Sequence, residues 1–241
     1  MQKLKIMLRK IFNFPLFFKV SLCLFFFFLA ASQTTAKTQL PENFVYVSDI
    51  TSDIVFEIRY FTSYNFVGQK IDGYKAPVAI LTKNAALALA AAARDFDKLG
   101  YVIKIFDAYR PTEAVDHFNR WSKNLSAVKN KIYFYPNVDK SRLFSDGYIA
   151  HRSAHSRGSA VDITLIEKAT GKEIDMGAPF DFLDEKSNYN TKNITPRQFS
   201  NRKLLRDIMT KNGFVPYDKE WWHFRLKKET FTDTYFNFAV E

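Results

Sequence analysis

The sequence predicts an α+β fold: a single domain with a small, mainly antiparallel sheet and flanking helices. Three observations predict it. Apolar residues make up 47% of the 241 residues, enough for a packed core. Strand-like and helix-like stretches mix without the regular alternation of βαβ units. No heptad array, low-complexity run or fixed-period repeat points to a coiled coil or solenoid, and the length suits one domain.

The elements follow in order. Residues 45–50 and 54–60 are rich in β-branched and aromatic side chains and read as strands. Residues 61–80, with Gly68, Gly73 and Pro77, read as loop. Residues 83–98 are dense in Ala and Leu and run into Gly100, a helix-stop signal. Tyr101–Phe106 alternates as a strand does. Pro111 suits the first position of a helix over 111–123, which puts Arg110 at a strand-to-helix junction. Residues 124–150 read as mostly irregular. Val161–Leu165 is a short strand, 197–212 a helix closed by Asn212-Gly213, and Trp221–Leu226 a last strand.

Residues 1–36 stand apart. Lys3, Lys5, Arg9, Lys10 and Lys19 come with no acid, then an apolar run of 12 over 20–31, then the small and polar Ser32-Gln-Thr-Thr-Ala36. That order reads as a secretory signal peptide cleaved after Ser32 or Ala36, because a spanning helix needs roughly 20 apolar residues. An uncleaved membrane anchor is the alternative. Cys23 lies inside the apolar run after Leu22, which does not suit lipid attachment. The mature domain is then 37–241, with no stable membrane span. Removing the leader takes five basic residues and lowers the net charge from +10 to +5. It also removes the only Cys, so the mature domain has no disulfide, no thiol nucleophile and no Cys-based metal site. An exported, cysteine-free chain suits the bacterial periplasm.

Two segments carry chemistry: Ser153-Ala-His155-Ser-Arg-Gly158-Ser-Ala-Val-Asp162 and Glu220-Trp-Trp-His223. Two imidazoles and a carboxylate suit a catalytic zinc, with three protein ligands and one open position. His155 and Asp162 can converge if the chain turns at Gly158 into the strand bearing Asp162. In that strand Val161, Ile163 and Leu165 share one face, and Asp162 and Thr164 the other. Residue types alone leave these histidines equally open to structural roles. Glu220 lies three residues before His223. A carboxylate beside a metal site can take a proton from water and later deliver it to the leaving amine; a surface salt bridge is the plainer alternative. On a flat strand residues three apart face opposite ways, so Glu220 must sit in the preceding turn. Arg110, in Asp107-Ala-Tyr-Arg110-Pro111, can stabilise an oxyanion. Pairing with Asp107 is the simpler reading of that arginine. His117 and His151 read as structural.

These segments resemble the D-alanyl-D-alanine dipeptidase family of VanX-type zinc peptidases. Asp107-Ala-Tyr-Arg-Pro111, Asp175-Met-Gly-Ala-Pro-Phe-Asp181-Phe-Leu-Asp-Glu185 and Tyr60-Phe-Thr-Ser-Tyr-Asn65-Phe-Val-Gly68 match as well, so the resemblance runs from about residue 45 onward. It implies the small α+β fold of the zinc D,D-carboxypeptidases. It implies one Zn2+ per chain on His155, Asp162 and His223, with Glu220 as general base and then acid. Arg110 would polarise the scissile carbonyl and hold the oxyanion. Asp181 would bind the free amino group of a small dipeptide, D-Ala-D-Ala, with Tyr60 and Ser153 near the substrate ends. Several members act in the cytoplasm, whereas this leader predicts export.

Three other classes compete with that reading. A D,D-carboxypeptidase acting on peptidoglycan stem peptides would use the same metal and base in an open cleft, unless the 61–80 and 124–150 loops cap it. A non-enzymatic zinc module would need neither Glu220 nor Arg110. Nucleic-acid binding is disfavoured by the modest mature charge and by the dispersal of basic residues.

Overall fold

The computed structural model describes residues 39–241; the leader reading of 1–36 lies outside the described residues. Strand β4 (Tyr101–Asp107) is the spine of the sheet. Its Ile103 and Ile105 are fully buried, and so is Phe106. On one side β4 pairs in parallel with β2 (Ile54–Phe56), the only parallel pairing in the sheet. On the other it pairs antiparallel with β5 (Ala160–Glu167), which pairs with β8 (Glu220–Leu226), which pairs with β7 (Phe214–Tyr217). The two-residue β6 (Lys172–Glu173) folds back on the end of β5. A separate ribbon joins β1 (Phe44–Tyr46) to β3 (Ile80–Thr82). The sheet is therefore mainly antiparallel, as expected.

Helix α1 (Lys83–Asp97) buries an alanine-rich stripe closed by Leu89 and Phe96, and it packs on β4 and on α4 (Pro196–Lys211). Small side chains let the helix approach the sheet closely. Thr195 caps α4: its hydroxyl accepts from the Gln198 amide while the Gln198 side chain accepts from the Thr195 amide. Helix α2 (Thr112–Lys123) begins one residue later than predicted, with Pro111 as its cap. No helix of the described residues is long and apolar enough to cross a membrane.

Several elements differ from the sequence reading, and β3, β6 and β7 have no counterpart in it. The strand expected over 45–50 ends at Tyr46. There the chain enters a 3-10 turn at Val47–Asp49, with the Ile50 and Thr51 amides both bonded to the Val47 carbonyl. The strand expected over 54–60 ends at Phe56, because its pairing stops at Ile105, where β4 itself slips register against β5. Tyr60 consequently sits on a 3-10 turn, Arg59–Phe61, rather than on a strand. The 124–150 region, expected to be irregular, contains a short α turn, α3 (Lys131–Phe134), and a 3-10 turn at Lys140–Arg142.

The segment after β8 has no regular structure but is stitched down. The Thr112 amide donates to the Phe236 carbonyl (3.0 Å), and the Phe236 amide to the Ser156 carbonyl (2.9 Å). The Phe238 ring stacks on Tyr109 at 4.0 Å, and the Val240 amide donates to the Gly73 carbonyl.

Gly158 turns the chain into β5 as the sequence reading required. Its φ is +77°, and a Cβ there would lie 2.2 Å from Cε1 of Phe44. Gly158→Ala should therefore add about 1–2 kcal/mol of left-handed strain and about 1–3 kcal/mol of overpacking. The expected result is a clearly lower thermal midpoint by circular dichroism. An unchanged midpoint would show that Phe44 and the turn give way freely.

Candidate active site

Three adjacent strands bring the first side chains together. Asp107 at the end of β4 stands opposite Asp162 in β5, and Asp162 stands opposite His223 in β8. One rung across the sheet thus carries two carboxylates and an imidazole. The Ala154–Arg157 turn, started by Ser153 and ended by Gly158, swings His155 over this rung. The His155 Nδ1 lies 2.7 Å from the Ala108 carbonyl, which can only accept, so Nδ1 carries a hydrogen and Nε2 is the nitrogen turned to the other two side chains. That Nε2 is 3.0 Å from Nδ1 of His223 and 3.3 Å from Oδ1 of Asp162; His223 Nδ1 is 3.0 Å from the same oxygen. Three ligand atoms of the types a metal ion needs form a small triangle, and they can hold one. Burial works against a charged Asp162, but the two imidazoles outweigh it and hold its carboxyl well below the usual range. His223 is also pulled down by burial, yet the hydrogen bond and charge of Asp162 leave it raised.

Glu220 reaches the same place from the strand itself, not from the preceding turn where the flat-strand argument put it. It is the first residue of β8, entered from the two-residue turn Asp218-Lys219, and the β7–β8 register slips beside it between Pro216 and Tyr217. Alternation fails just beyond, since Trp221 and Trp222 are both buried. Glu220 Oε2 ends 4.0 Å from His223 Nδ1. Burial, with Asp162 nearby, pushes the Glu220 carboxyl up to about 7 against the opposing charges of His223 and Arg110. A carboxyl in that range exchanges its proton readily near neutrality.

Arg110 leaves β4 just before α2. Its Nε donates to Asp107 Oδ2 (2.8 Å), and Nη2 lies 3.6 Å from Asp162 Oδ2. Tyr60 lies under its guanidinium, 4.9 Å from ring centroid to carbon. The pairing with Asp107 is present, and the same arginine lines the cavity.

Asp181 enters from the loop after β6 with a left-handed φ of +61°. Its Oδ1 accepts from the Tyr60 hydroxyl (3.1 Å), while Oδ2 is buried with no partner. Burial raises its pKa well above the ordinary value. Ser153 Oγ accepts from the His155 amide. All eight residues singled out from the sequence line one cavity of about 330 Å³. The lower end of small-molecule site volumes is ~300 Å³. His117 and His151 lie elsewhere: His117 bridges Gln69 and Asp72, and His151 stacks on Phe144 and bonds to Asn119.

A family pattern described as D-Ala-D-Ala dipeptidase, of peptidase family M15, matches residues 41–241. The chain belongs to the D-Ala-D-Ala dipeptidase family. It is a metallopeptidase of that family. A D-alanyl-D-alanine dipeptidase of Enterococcus faecalis is 41% identical over 83% of this chain and 100% of the relative. One of Streptomyces coelicolor is 39% identical over 82% and 98%. Among solved structures, the LdcB LD-carboxypeptidase overlays with a TM-score of 0.42 at 20% identity, covering 79% of this chain and 72% of that one.

Two residues of this dipeptidase-family site escaped the sequence reading. The sequence reading takes Asp107 only as a partner for Arg110. It is fully buried, accepts from the Tyr74 hydroxyl at 2.6 Å, and stands 3.6 Å from Nδ1 of His155. It thus braces the arginine and one imidazole together. Its place three residues before Arg110, at a strand end, was a usable signal. Tyr74, in a loop with no pattern around it, left none.

Proposed function

We propose that the chain hydrolyses D-Ala-D-Ala to two D-alanines, in the periplasm, using one zinc ion held by His155, Asp162 and His223. The observation that carries this reading is Asp181. A buried carboxyl with one unpartnered oxygen, in the same cavity as the metal-type triangle, fits the ammonium of a free dipeptide. The names of the relatives support the substrate. The basic leader followed by an apolar run supports export.

The donor set fits zinc. Two imidazole nitrogens and one carboxylate oxygen are ordinary zinc ligands, and ligands about 2.0–2.1 Å from zinc in a tetrahedron stand about 3.3 Å from one another. The triangle here has sides of 3.0, 3.0 and 3.3 Å. Zinc, when bound, polarises a carbonyl and acidifies water. The remaining work falls to side chains. Glu220 takes a proton from water at Oε and returns it to the departing amine. Arg110, held aimed by Asp107, faces the negative charge that develops on the carbonyl oxygen. Asp181, oriented by Tyr60, fixes the ammonium and thereby the register of the scissile bond.

A D,D-carboxypeptidase would need room for a longer peptide. Both suspected capping loops line the cavity, through Phe66 on one side and Gly147–Ala150 on the other, which supports the short substrate. The test compares D-Ala-D-Ala with an N-acylated peptide ending in D-Ala-D-Ala, using residues 37–241 with zinc. Release of D-alanine from the free dipeptide alone is expected. Cleavage of the acylated peptide would move the enzyme to the carboxypeptidase class. A chelator should stop turnover and lower the thermal midpoint, because the ligands come from separate segments and the ion binds only the folded arrangement.

A further inference from the structure

Three arginines line the catalytic cavity, and two are already neutralised. Arg110 is held by Asp107 and Asp162, and Arg225 pairs with Glu229 at 2.5 Å. Arg152 meets no carboxylate in an ion pair among the described residues. Its guanidinium carbon lies 5.4 Å from the centre of the Tyr235 ring. It is exposed, yet it stands on a wall that the catalytic cavity shares with a second cavity of about 430 Å³. Val115 and Ser153 belong to the same shared wall.

That wall is rich in free hydrogen-bond donors. Ser153 Oγ accepts from the His155 amide, which leaves its own hydrogen for an outside acceptor. Ser156 lines the second cavity, and its buried hydroxyl has no partner. The acids of the second cavity, Asp116 and Asp233, are exposed and form no ion pair with Arg152. Asp181 lines the catalytic cavity but not the second one.

We propose that Arg152, together with the Ser153 hydroxyl, recognises the free carboxylate of the dipeptide. The inference rests on the dipeptidase reading and deepens it. A free dipeptide is a zwitterion, with an ammonium at one end and a carboxylate at the other. The cavity offers the buried, unpartnered oxygen of Asp181 and one guanidinium without an acid. A guanidinium gives a carboxylate two parallel N–H donors, which an ammonium cannot, so the site selects a carboxylate over a neutral amide by both charge and geometry.

The experiment uses zinc-loaded protein, residues 37–241, with D-Ala-D-Ala and its C-terminal carboxamide as paired substrates. Wild type should prefer the acid. Arg152→Gln should raise KM for the acid about tenfold or more, move kcat far less, and collapse the preference over the amide. Arg152→Lys should restore part of that preference, and thermal midpoints report that the variants fold. An unchanged KM for the acid in Arg152→Gln, or an equal loss on acid and amide, would overturn the assignment. Wild type that cleaves no free dipeptide would instead overturn the dipeptidase reading, and this inference with it.

Discussion

Glu220→Gln should lower kcat on D-Ala-D-Ala by roughly 10²–10⁴-fold, the range that a positioned acid–base group supplies. Zinc content and thermal midpoint should stay near wild type. The side chain is the same size and keeps hydrogen-bonding capacity, but it cannot hold or release the proton that burial keeps poised at about pH 7 in Glu220. Its nearest approach to His223 Nδ1 is 4.0 Å, outside the 3.0–3.3 Å triangle of the three ligand atoms. Steady-state kinetics with metal analysis on the same sample checks both halves. Loss of zinc in the variant would make Glu220 a ligand; near-normal turnover would mean another base.

Asp181→Asn should lower kcat/KM for D-Ala-D-Ala by about 10–100-fold, corresponding to about 1–3 kcal/mol for a buried charge-assisted hydrogen bond. It should also narrow the gap to N-acetyl-D-Ala-D-Ala, whose blocked nitrogen carries no charge for Asp181 to read. Asn is the cleaner test than Ala. The backbone at this position has φ +61°, a conformation that Asn and Asp tolerate and Ala resists. Asn also keeps an acceptor for the Tyr60 hydroxyl. Selectivity that stays at the wild-type ratio would remove Asp181 from ammonium recognition, whatever happens to absolute rates.

The site was more legible than its supports. His155, Asp162 and His223 stand in segments whose local rules are strong: a glycine that must turn left-handed, a strand whose alternation points Asp162 away from its apolar neighbours, and a terminal strand. Their convergence follows from pairing Asp162 with His223 across β5 and β8. Glu220 was legible as a conflict. Period-two alternation forbade it from facing His223, and the structure resolves this through the turn and register slip at Tyr217. Boundaries set by tertiary pairing were not legible. Nothing local tells β2 to stop at Phe56; the slip in β4 does. Asp107 shows the same limit. Its own segment announced an Arg partner, but its contacts with Tyr74 and His155 join residues 33 and 48 positions apart. The stretch after Leu226 carries no helical or strand period, so its role could only be seen once folded.

That last stretch bears on how firmly the site is held. A nascent chain that has emerged only as far as β8 already holds all eight cavity residues named from the sequence. It still lacks Phe236, which takes up the Thr112 amide beside Arg110 and the Ser156 carbonyl beside His155. It also lacks Phe238, which stacks on Tyr109, the residue before Arg110. Residues 236–240 thus clasp the segments that carry Arg110 and His155, and a chain ending at Leu226 is expected to hold those two side chains less firmly and to hydrolyse more slowly than the full chain.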